Sequence, residues 1–147
     1  MIAVSLTSVK QFYDEKYDRT NFVKNVILDN ILPGDIYVKS KELHFPSDVS
    51  RVVFLVRILE SKDYSTFDII QNLFPEKNKD FVISINESDI VLVKEVSPNT
   101  EGKELEKIAK TIVDTLYGEL YVKATVGIGS IVSSVKDMAN SFKEAQV

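Results

Sequence analysis

The chain has 147 residues, of which 44% are hydrophobic and 27% are charged, and its formal net charge is -4. This length and apolar content predict one domain with a substantial core rather than two domains. An acidic surface does not attract a phosphate backbone, so the chain itself is not expected to bind DNA. Cysteine is absent and histidine occurs once, which excludes disulfides, thiol catalysis and a histidine-rich metal site.

The sequence gives no sign of membrane insertion or export. No apolar run approaches the roughly 20 residues that a transmembrane helix needs. Met1–Lys10 lacks the charged start and the apolar core of a signal peptide. We therefore expect a cytoplasmic protein that has no membrane partner.

The N-terminal part is predicted to be helical. Apolar residues at helical spacing predict an amphipathic helix from about Val9 to Leu32, which Pro33-Gly34 would stop. A second helix, capped by the Asp35 carboxylate, would run to Leu43, although Ile36–Val38 could instead form a strand. The apolar stripe of the first helix could pack on a sheet or on a second copy of the chain. This stripe comprises Phe22, Val23, Val26, Ile27 and Ile31.

The middle of the chain alternates between strands and helices. Arg51–Ile58 is β-branched and almost continuously apolar, which predicts a strand buried on both faces at the centre of a sheet. Asp63–Phe74 has the spacing of an amphipathic helix. Two strands follow, Asp80–Ile85 and Asp89–Val96, and the polar step Asn86-Glu87-Ser88 between them is typical of a hairpin.

The last third is predicted to contain a helix, a strand and a second helix. Glu101–Gly118 has the clearest helical periodicity, and Gly118 would be the left-handed residue just past its C-terminus. Leu120–Val132 alternates as a strand does. The final helix would begin with a capping box formed by Ser134 and Asp137. Its buried face is expected to comprise Val135, Met138, Ala139, Phe142 and Ala145.

The core order is strand, helix, strand, strand, helix, strand. Each crossover helix must return to a neighbouring strand on the same face, so this order predicts a ferredoxin-like βαββαβ fold with one antiparallel sheet. The predicted class is α+β, with helices packed on the sheet. We expect residues 1–46 to form an extra N-terminal helical segment and residues 47–147 to form the main domain.

The segment Tyr121–Val147 carries a family resemblance. A VGIG step at the end of a strand is followed by a helix that contains Ser141-Phe142-Lys143-Glu144-Ala145. This combination resembles the degenerate GGDEF-like domain of bacterial carbohydrate diacid and purine catabolism regulators, whose fold is that of nucleotide cyclases. The resemblance is good from about Ser50 onward. Gly127-Ile128-Gly129 lacks the third glycine of a dinucleotide fingerprint, so we interpret these glycines as small residues for close packing.

The resemblance also indicates where a catalytic site would lie. In GGDEF diguanylate cyclases the hairpin between the second and third strands reads G-G-[DE]-E-F, in which glycines admit GTP and carboxylates hold metal. Neither glycine is present here, and one acidic position is a serine. The matching positions are Asn86, Glu87, Ser88, Asp89 and Ile90.

A second departure lies near the end of the first strand. Active cyclases place a metal-binding aspartate there, whereas this chain reads Val56-Arg57-Ile58-Leu59-Glu60-Ser61-Lys62. An arginine and aliphatic side chains cannot supply the oxygen ligands that Mg²⁺ requires. We therefore expect no catalysis, no bound metal and no cofactor, and we interpret Glu87 and Asp89 as a solvated turn. His44 is expected to have a surface or capping role.

The resemblance implies a non-catalytic, signal-transmitting domain of a bacterial transcriptional regulator that controls sugar diacid utilisation. In that family the domain lies between a sensor region and a C-terminal helix-turn-helix, neither of which is in this chain. The expected partners are those two regions and a second copy of the chain, and DNA would be contacted only through the helix-turn-helix. Because the sequence stops within a helix that family members continue, we expect a truncated domain. The alternatives are a degenerate nucleotide-binding or cyclase-like domain, and a regulator with an AraC-type DNA-binding end.

Overall fold

A computed structural model describes residues 19–59, 66–76 and 79–147. Residues 19–27 are helical and are named α1. The elements that follow are α2 (Pro33–Glu42), β1 (Arg51–Ile58), α3 (Thr66–Leu73), β2 (Phe81–Ser84), β3 (Asp89–Glu95), α4 (Gly102–Leu120), β4 (Ala124–Ile128), a 3-10 turn (Val135–Asp137) and α5 (Met138–Ala145). The predicted α+β class is confirmed.

The described strands form one sheet in the order β2-β3-β1-β4, and every neighbouring pair is antiparallel. This order is the one that a βαββαβ connection produces, so the ferredoxin-like prediction is confirmed. β1 pairs with β3 on one side and β4 on the other, and every residue in it except Arg57 is buried. The prediction of a central strand buried on both faces is therefore also confirmed.

The sheet separates two apolar clusters. Alternate side chains of a strand point to opposite faces, so Val52, Phe54 and Val56 join α3 and α4 on one face. Val53 and Leu55 join α1, α2 and α5 on the other. The N-terminal helices thus complete the second core, and the apolar stripe of α1 packs on the sheet. The proposed domain division at residue 46 remains a prediction.

α1 ends earlier than predicted, and α2 begins earlier than predicted. α1 ends at residue 27, and Pro33-Gly34 begins α2 instead of stopping the first helix. Proline suits a first helical turn because its missing N–H would have no partner there. The N-cap is Leu32, so the prediction that Asp35 caps this helix is wrong. The strand alternative for Ile36–Val38 is also wrong, and the part of the predicted helix before Arg19 lies outside the described residues.

The middle elements lie where they were predicted, with shorter ends. α3 closes at Leu73, one residue before the predicted end, and residues 63–65 of the predicted helix lie outside the described residues. β2 and β3 leave out Asp80, Ile85 and Val96. These three residues flank the strands and still donate backbone hydrogen bonds to neighbouring segments.

α4 continues past its predicted end. Gly118 lies inside the helix, and the left-handed residue is Tyr121, whose φ is 55°. Leu120 packs against the apolar cluster beneath α4, and its burial favours continued helix over a stop at glycine. As a result β4 begins at Ala124 rather than Leu120. It ends at Ile128, and Val132 returns to the sheet only as an isolated bridge.

The last helix confirms the predicted face but not the predicted cap. All five residues expected to be buried are buried. Ser134 and Asp137 make no capping hydrogen bond through their side chains, and a 3-10 turn leads into α5. The capping-box prediction is therefore wrong. In the described part of the chain, no helix combines the length and the apolarity needed to cross a bilayer.

Candidate functional site

The side chain of Asn86 closes the hairpin between β2 and β3. Its Oδ1 accepts the backbone N–H of Ser88 at 2.8 Å and that of Asp89 at 2.9 Å, and it also accepts the Ser88 hydroxyl. Its Nδ2 donates to Asp89 Oδ2 at 3.2 Å. An asparagine that bonds the backbone two residues on replaces the turn that glycines would otherwise form. None of the hairpin residues has a positive φ, so the turn does not require glycine.

Arg57 forms an ion pair with the hairpin. It lies opposite Asp89 in the β1–β3 register, and its Nε donates to Asp89 Oδ1 at 3.1 Å. The Arg57 side chain is 51% exposed and that of Asp89 is 18% exposed. A guanidinium thus lies where the resemblance to cyclases expects a metal-binding carboxylate. Its permanent positive charge repels a divalent cation from Asp89.

The hairpin residues are distributed over three environments. Asn86, Ser88 and Asp89 are joined by the hydrogen bonds of the turn, Glu87 is exposed, and Ile90 is buried among the side chains beneath α3 and α4. Among the described residues, no three side chains of the metal-binding types lie close enough to hold a metal ion. His44, the only histidine, is exposed as predicted.

A groove of about 230 Å³ lies on the α5 face of the sheet and includes Arg57 in its lining. Its other walls are β4, at Thr125–Gly127, and the end of α5, at Ala145 to Val147. Ligand pockets for small molecules typically have volumes of about 300–1,000 Å³. This groove is therefore small for a nucleotide.

The two glycines of β4 allow α5 to pack directly on the strand. A Cβ at Gly127 would overlap the backbone carbonyl of Ala145, and a Cβ at Gly129 would overlap the carbonyl and the hydroxyl of Ser141. Neither glycine has a positive φ, so both are required for space and not for conformation. The close-packing interpretation is confirmed.

The family model of the GGDEF-like domain matches residues 30–147. The chain belongs to the GGDEF-like domain family. The match includes α2, the whole sheet and α5, and the family indicates a cyclase-like or regulatory domain. No curated protein matches the sequence significantly.

Within this GGDEF-like domain, Ser141 replaces a hydrogen bond that the sheet lacks. Gly129 donates to the Val53 carbonyl, but the next contact of this strand with β1 is the bridge from Val132 to Arg51. Two residues, 130 and 131, therefore lie opposite the single residue Val52. This is a bulge. The Val53 N–H, which points toward β4, instead donates to Ser141 Oγ at 3.1 Å, and that hydroxyl donates to the Ser130 carbonyl at 2.8 Å. Ser141 is completely buried.

The predictions from sequence did not assign this role to Ser141. The available signal was a small polar residue within the apolar face of the last helix, directly before Phe142. Buried hydroxyls almost always have hydrogen-bond partners, so a serine in that position indicates a specific acceptor or donor opposite it. The partner itself could not be named, because Val53 lies 88 residues away in the sequence.

Arg51 is a second feature of the GGDEF-like domain that sequence reasoning missed. It is only 3% exposed, one guanidinium nitrogen donates to the Pro46 carbonyl at 2.7 Å, and the guanidinium carbon lies 4.3 Å from the centroid of the Phe45 ring. Burial lowers the pKa of Arg51, and the charge of Glu95 partly opposes that shift. The cation anchors the segment before β1 to the sheet.

Proposed function

We propose that this GGDEF-like domain is a non-catalytic regulatory domain that transmits a signal within a bacterial transcriptional regulator of the sugar diacid type. The proposal rests mainly on the ion pair of Arg57 with Asp89. Phosphoryl-transfer enzymes hold Mg²⁺ through oxygen ligands that neutralise the charge developing on phosphates. Here Asp89, a described carboxylate that lies opposite the end of β1, is neutralised by a cation of the protein itself.

The hairpin supports the same conclusion through its backbone. Glycine-rich turns bind phosphates because their backbone N–H groups point toward the ligand. In this hairpin the N–H groups of Ser88 and Asp89 are both donated to Asn86 Oδ1. A phosphate could use them only after displacing the asparagine side chain. The turn is therefore built to be closed without a ligand.

The proposed role is assembly and signal transfer in the cytoplasm. The partners would be a second copy of the chain and the sensor and helix-turn-helix regions of a longer protein, of which the helix-turn-helix would contact DNA. The net charge of -4 supports a domain that does not itself bind DNA. A gene that encodes no DNA-binding region after Val147 would overturn the assignment to a transcriptional regulator.

A titration with nucleotides tests the absence of catalysis. The chain is titrated with GTP and with cyclic di-GMP in the presence of Mg²⁺, and the mixture with GTP is then analysed for cyclic product. We expect no heat of binding at protein concentrations of about 100 μM, which would detect a micromolar Kd, and no product. Binding in the micromolar range or product formation would replace this proposal with a degenerate nucleotide-binding domain.

A matched variant tests whether the charge of Arg57 prevents a metal ion from binding at Asp89. Arg57→Asp places a carboxylate opposite Asp89, and like charges at that distance favour a bound cation. We expect the variant to bind Mn²⁺, used as a probe for Mg²⁺, at least about tenfold more tightly than the parent chain. The control is Lys136→Asp, which makes the same change of charge at an exposed position on the turn before α5. Equal Mn²⁺ affinity in the parent chain and Arg57→Asp would contradict the argument from charge.

A further inference from the structure

β4 is an edge strand whose outward backbone groups have no partner in the described residues. Gly129 donates to the Val53 carbonyl, and Leu59 donates to the Lys123 carbonyl. Backbone groups alternate in direction along an antiparallel strand, so odd-numbered residues of β4 face β1 and even-numbered residues face away. Within residues 19–59, 66–76 and 79–147, no backbone hydrogen bond involves the outward groups of Val126 and Ile128.

Within the part of the chain that the structure describes, β4 carries no proline or charge that would hinder pairing along its edge. Natural edge strands carry charges, proline or bulges, or lie beneath another segment. Ala124–Ile128 contains neither proline nor a charged residue, and its bulge lies after the strand. The opposite edge differs, since Phe81–Ile83 of β2 are buried, whereas Thr125 is exposed and Val126 to Ile128 are half-buried. Of the two sheet edges that the structure describes, β4 is therefore the more exposed one.

We propose that β4 pairs antiparallel with β4 of a second copy, about a two-fold axis through Val126. Val126 then lies opposite its own counterpart, and Ala124 of each copy lies opposite Ile128 of the other. All of these residues face outward, so the two edges form about six new hydrogen bonds and one sheet runs through both copies. This inference rests on the self-association included in the proposed function and specifies the surface that carries it.

Charge complementarity identifies the occupant as a second copy. Gly127 and Gly129 face α5, so Lys123 lies on that same face of the sheet. The two-fold places Lys123 opposite Gly129 of the other copy, beside Ser130. The Ser130 hydroxyl donates to Glu144 Oε1 at 2.9 Å, which holds the carboxylate at this edge. Each Lys123 thus approaches Glu144 of the other copy, and symmetry forms the ion pair twice.

Charge reversal tests the interface. Lys123→Glu and Glu144→Lys are each expected to raise the dimer Kd at least about tenfold, because attraction becomes repulsion at two symmetric positions. The double variant restores opposite charges and is expected to return within about threefold of the parent Kd. Lys136→Glu, an exposed control with the same change of charge, is expected to leave the Kd unchanged. Sedimentation across a concentration series measures these constants for the whole chain.

Hydrogen exchange locates the interface independently of any variant. The amides of Val126 and Ile128 should exchange more slowly at concentrations above the Kd than in dilute protein. Those of Thr125 and Gly127 already donate to β1, so their rates should change little. A dimer that shows neither this alternation nor sensitivity to Lys123→Glu would overturn the edge pairing and leave self-association in place. A chain that stays monomeric at about millimolar concentration would overturn both, whereas the nucleotide titration tests non-catalytic function separately.

Discussion

Replacing Ser141 with alanine tests how much its buried hydroxyl, which links α5 to the central strand, contributes to the free energy of unfolding. The side chain is completely buried, accepts the Val53 N–H and donates to the Ser130 carbonyl. Ser141→Ala removes one atom and leaves both partners in place. Because alanine is smaller and favours helix, neither a steric clash nor a loss of helix propensity contributes to the result.

The magnitude follows from what the two partners lose. A buried N–H left without an acceptor costs about 1–3 kcal/mol, and the loss of an ordinary hydrogen bond costs about 0.5–1.5 kcal/mol. The Val53 N–H belongs to the first class because it lies between two strands beneath α5. The Ser130 carbonyl belongs to the second because Ser130 is exposed and water can reach it. We expect Ser141→Ala to lower the free energy of unfolding by about 2–4 kcal/mol.

Urea unfolding, followed by circular dichroism, measures this change in the free energy of unfolding. In thermal unfolding, a decrease of that size should lower Tm by about 5–15 °C in a domain of this length. Ser133→Ala is the matched control, because that serine is exposed and should change stability by less than about 0.5 kcal/mol. Amide exchange supplies a local readout, and the Val53 amide should lose protection more than its neighbours in β1.

Two results would refute this reasoning. The first is a Ser141→Ala variant within about 0.5 kcal/mol of the parent chain, which would mean that the hydroxyl contributes nothing net. The second is a Val53 amide that stays fully protected in the variant. That outcome would mean that another acceptor had replaced the serine.

Two further predictions concern Gly127 in β4 and the hairpin. Gly127→Ala is expected to lower the free energy of unfolding by at least about 1–3 kcal/mol, because the added methyl meets a backbone carbonyl of α5 that cannot rotate away. The control Gly118→Ala has open space within a helix and should raise the free energy of unfolding by about 0.5–1 kcal/mol. Equal shifts of Tm for the two variants would contradict the close contact. Asn86→Ala is expected to cost about 1–2 kcal/mol through the lost turn bonds, and Glu87→Ala should be nearly neutral. Urea titration separates this pair, and an Asn86→Ala variant as stable as Glu87→Ala would show that the turn closes without its side chain.

The sequence predicted best those elements whose buried residues follow a local pattern of apolar spacing. The continuous apolar run of β1 and the helical spacing of α5 each specify which faces are covered, and both predictions were confirmed. The strand order followed from the element order and from the need for short crossovers on one face.

The errors arose where distant packing outweighs a local signal. Gly118 is typical of a helix end, but Leu120, two residues later, packs partly buried against the core, and the helix continues as far as that residue. Pro33 suits both the end of one helix and the start of the next, and sequence alone did not distinguish them. The predicted helix boundaries were therefore wrong at residues that are compatible with two different boundaries.

The chemistry of the hairpin was only half predictable. The position of Asn86 to Ile90 between two strands could be read from the sequence, together with the loss of both glycines. The ion pair could not, because Arg57 and Asp89 are 32 residues apart and meet only through the β1–β3 register. The same limit applied to Ser141 and Val53, because their hydrogen bond depends on a bulge that no local sequence pattern predicts.

The anchoring of α5 determines how this helix can move. Backbone carbonyls of α5 lie against Gly127 and Gly129, and the hydroxyl of Ser141 is fixed between two strands. Rotation of α5 about its own axis would break these contacts, so the packing favours joint movement of α5 and β4 over independent rotation of the helix. α1 and α2 share an apolar cluster with α5, so these three helices pack on the same face of the sheet. In the proposed signalling role, a push on the N-terminal helices would therefore reach the end of α5 as a displacement and not as a twist.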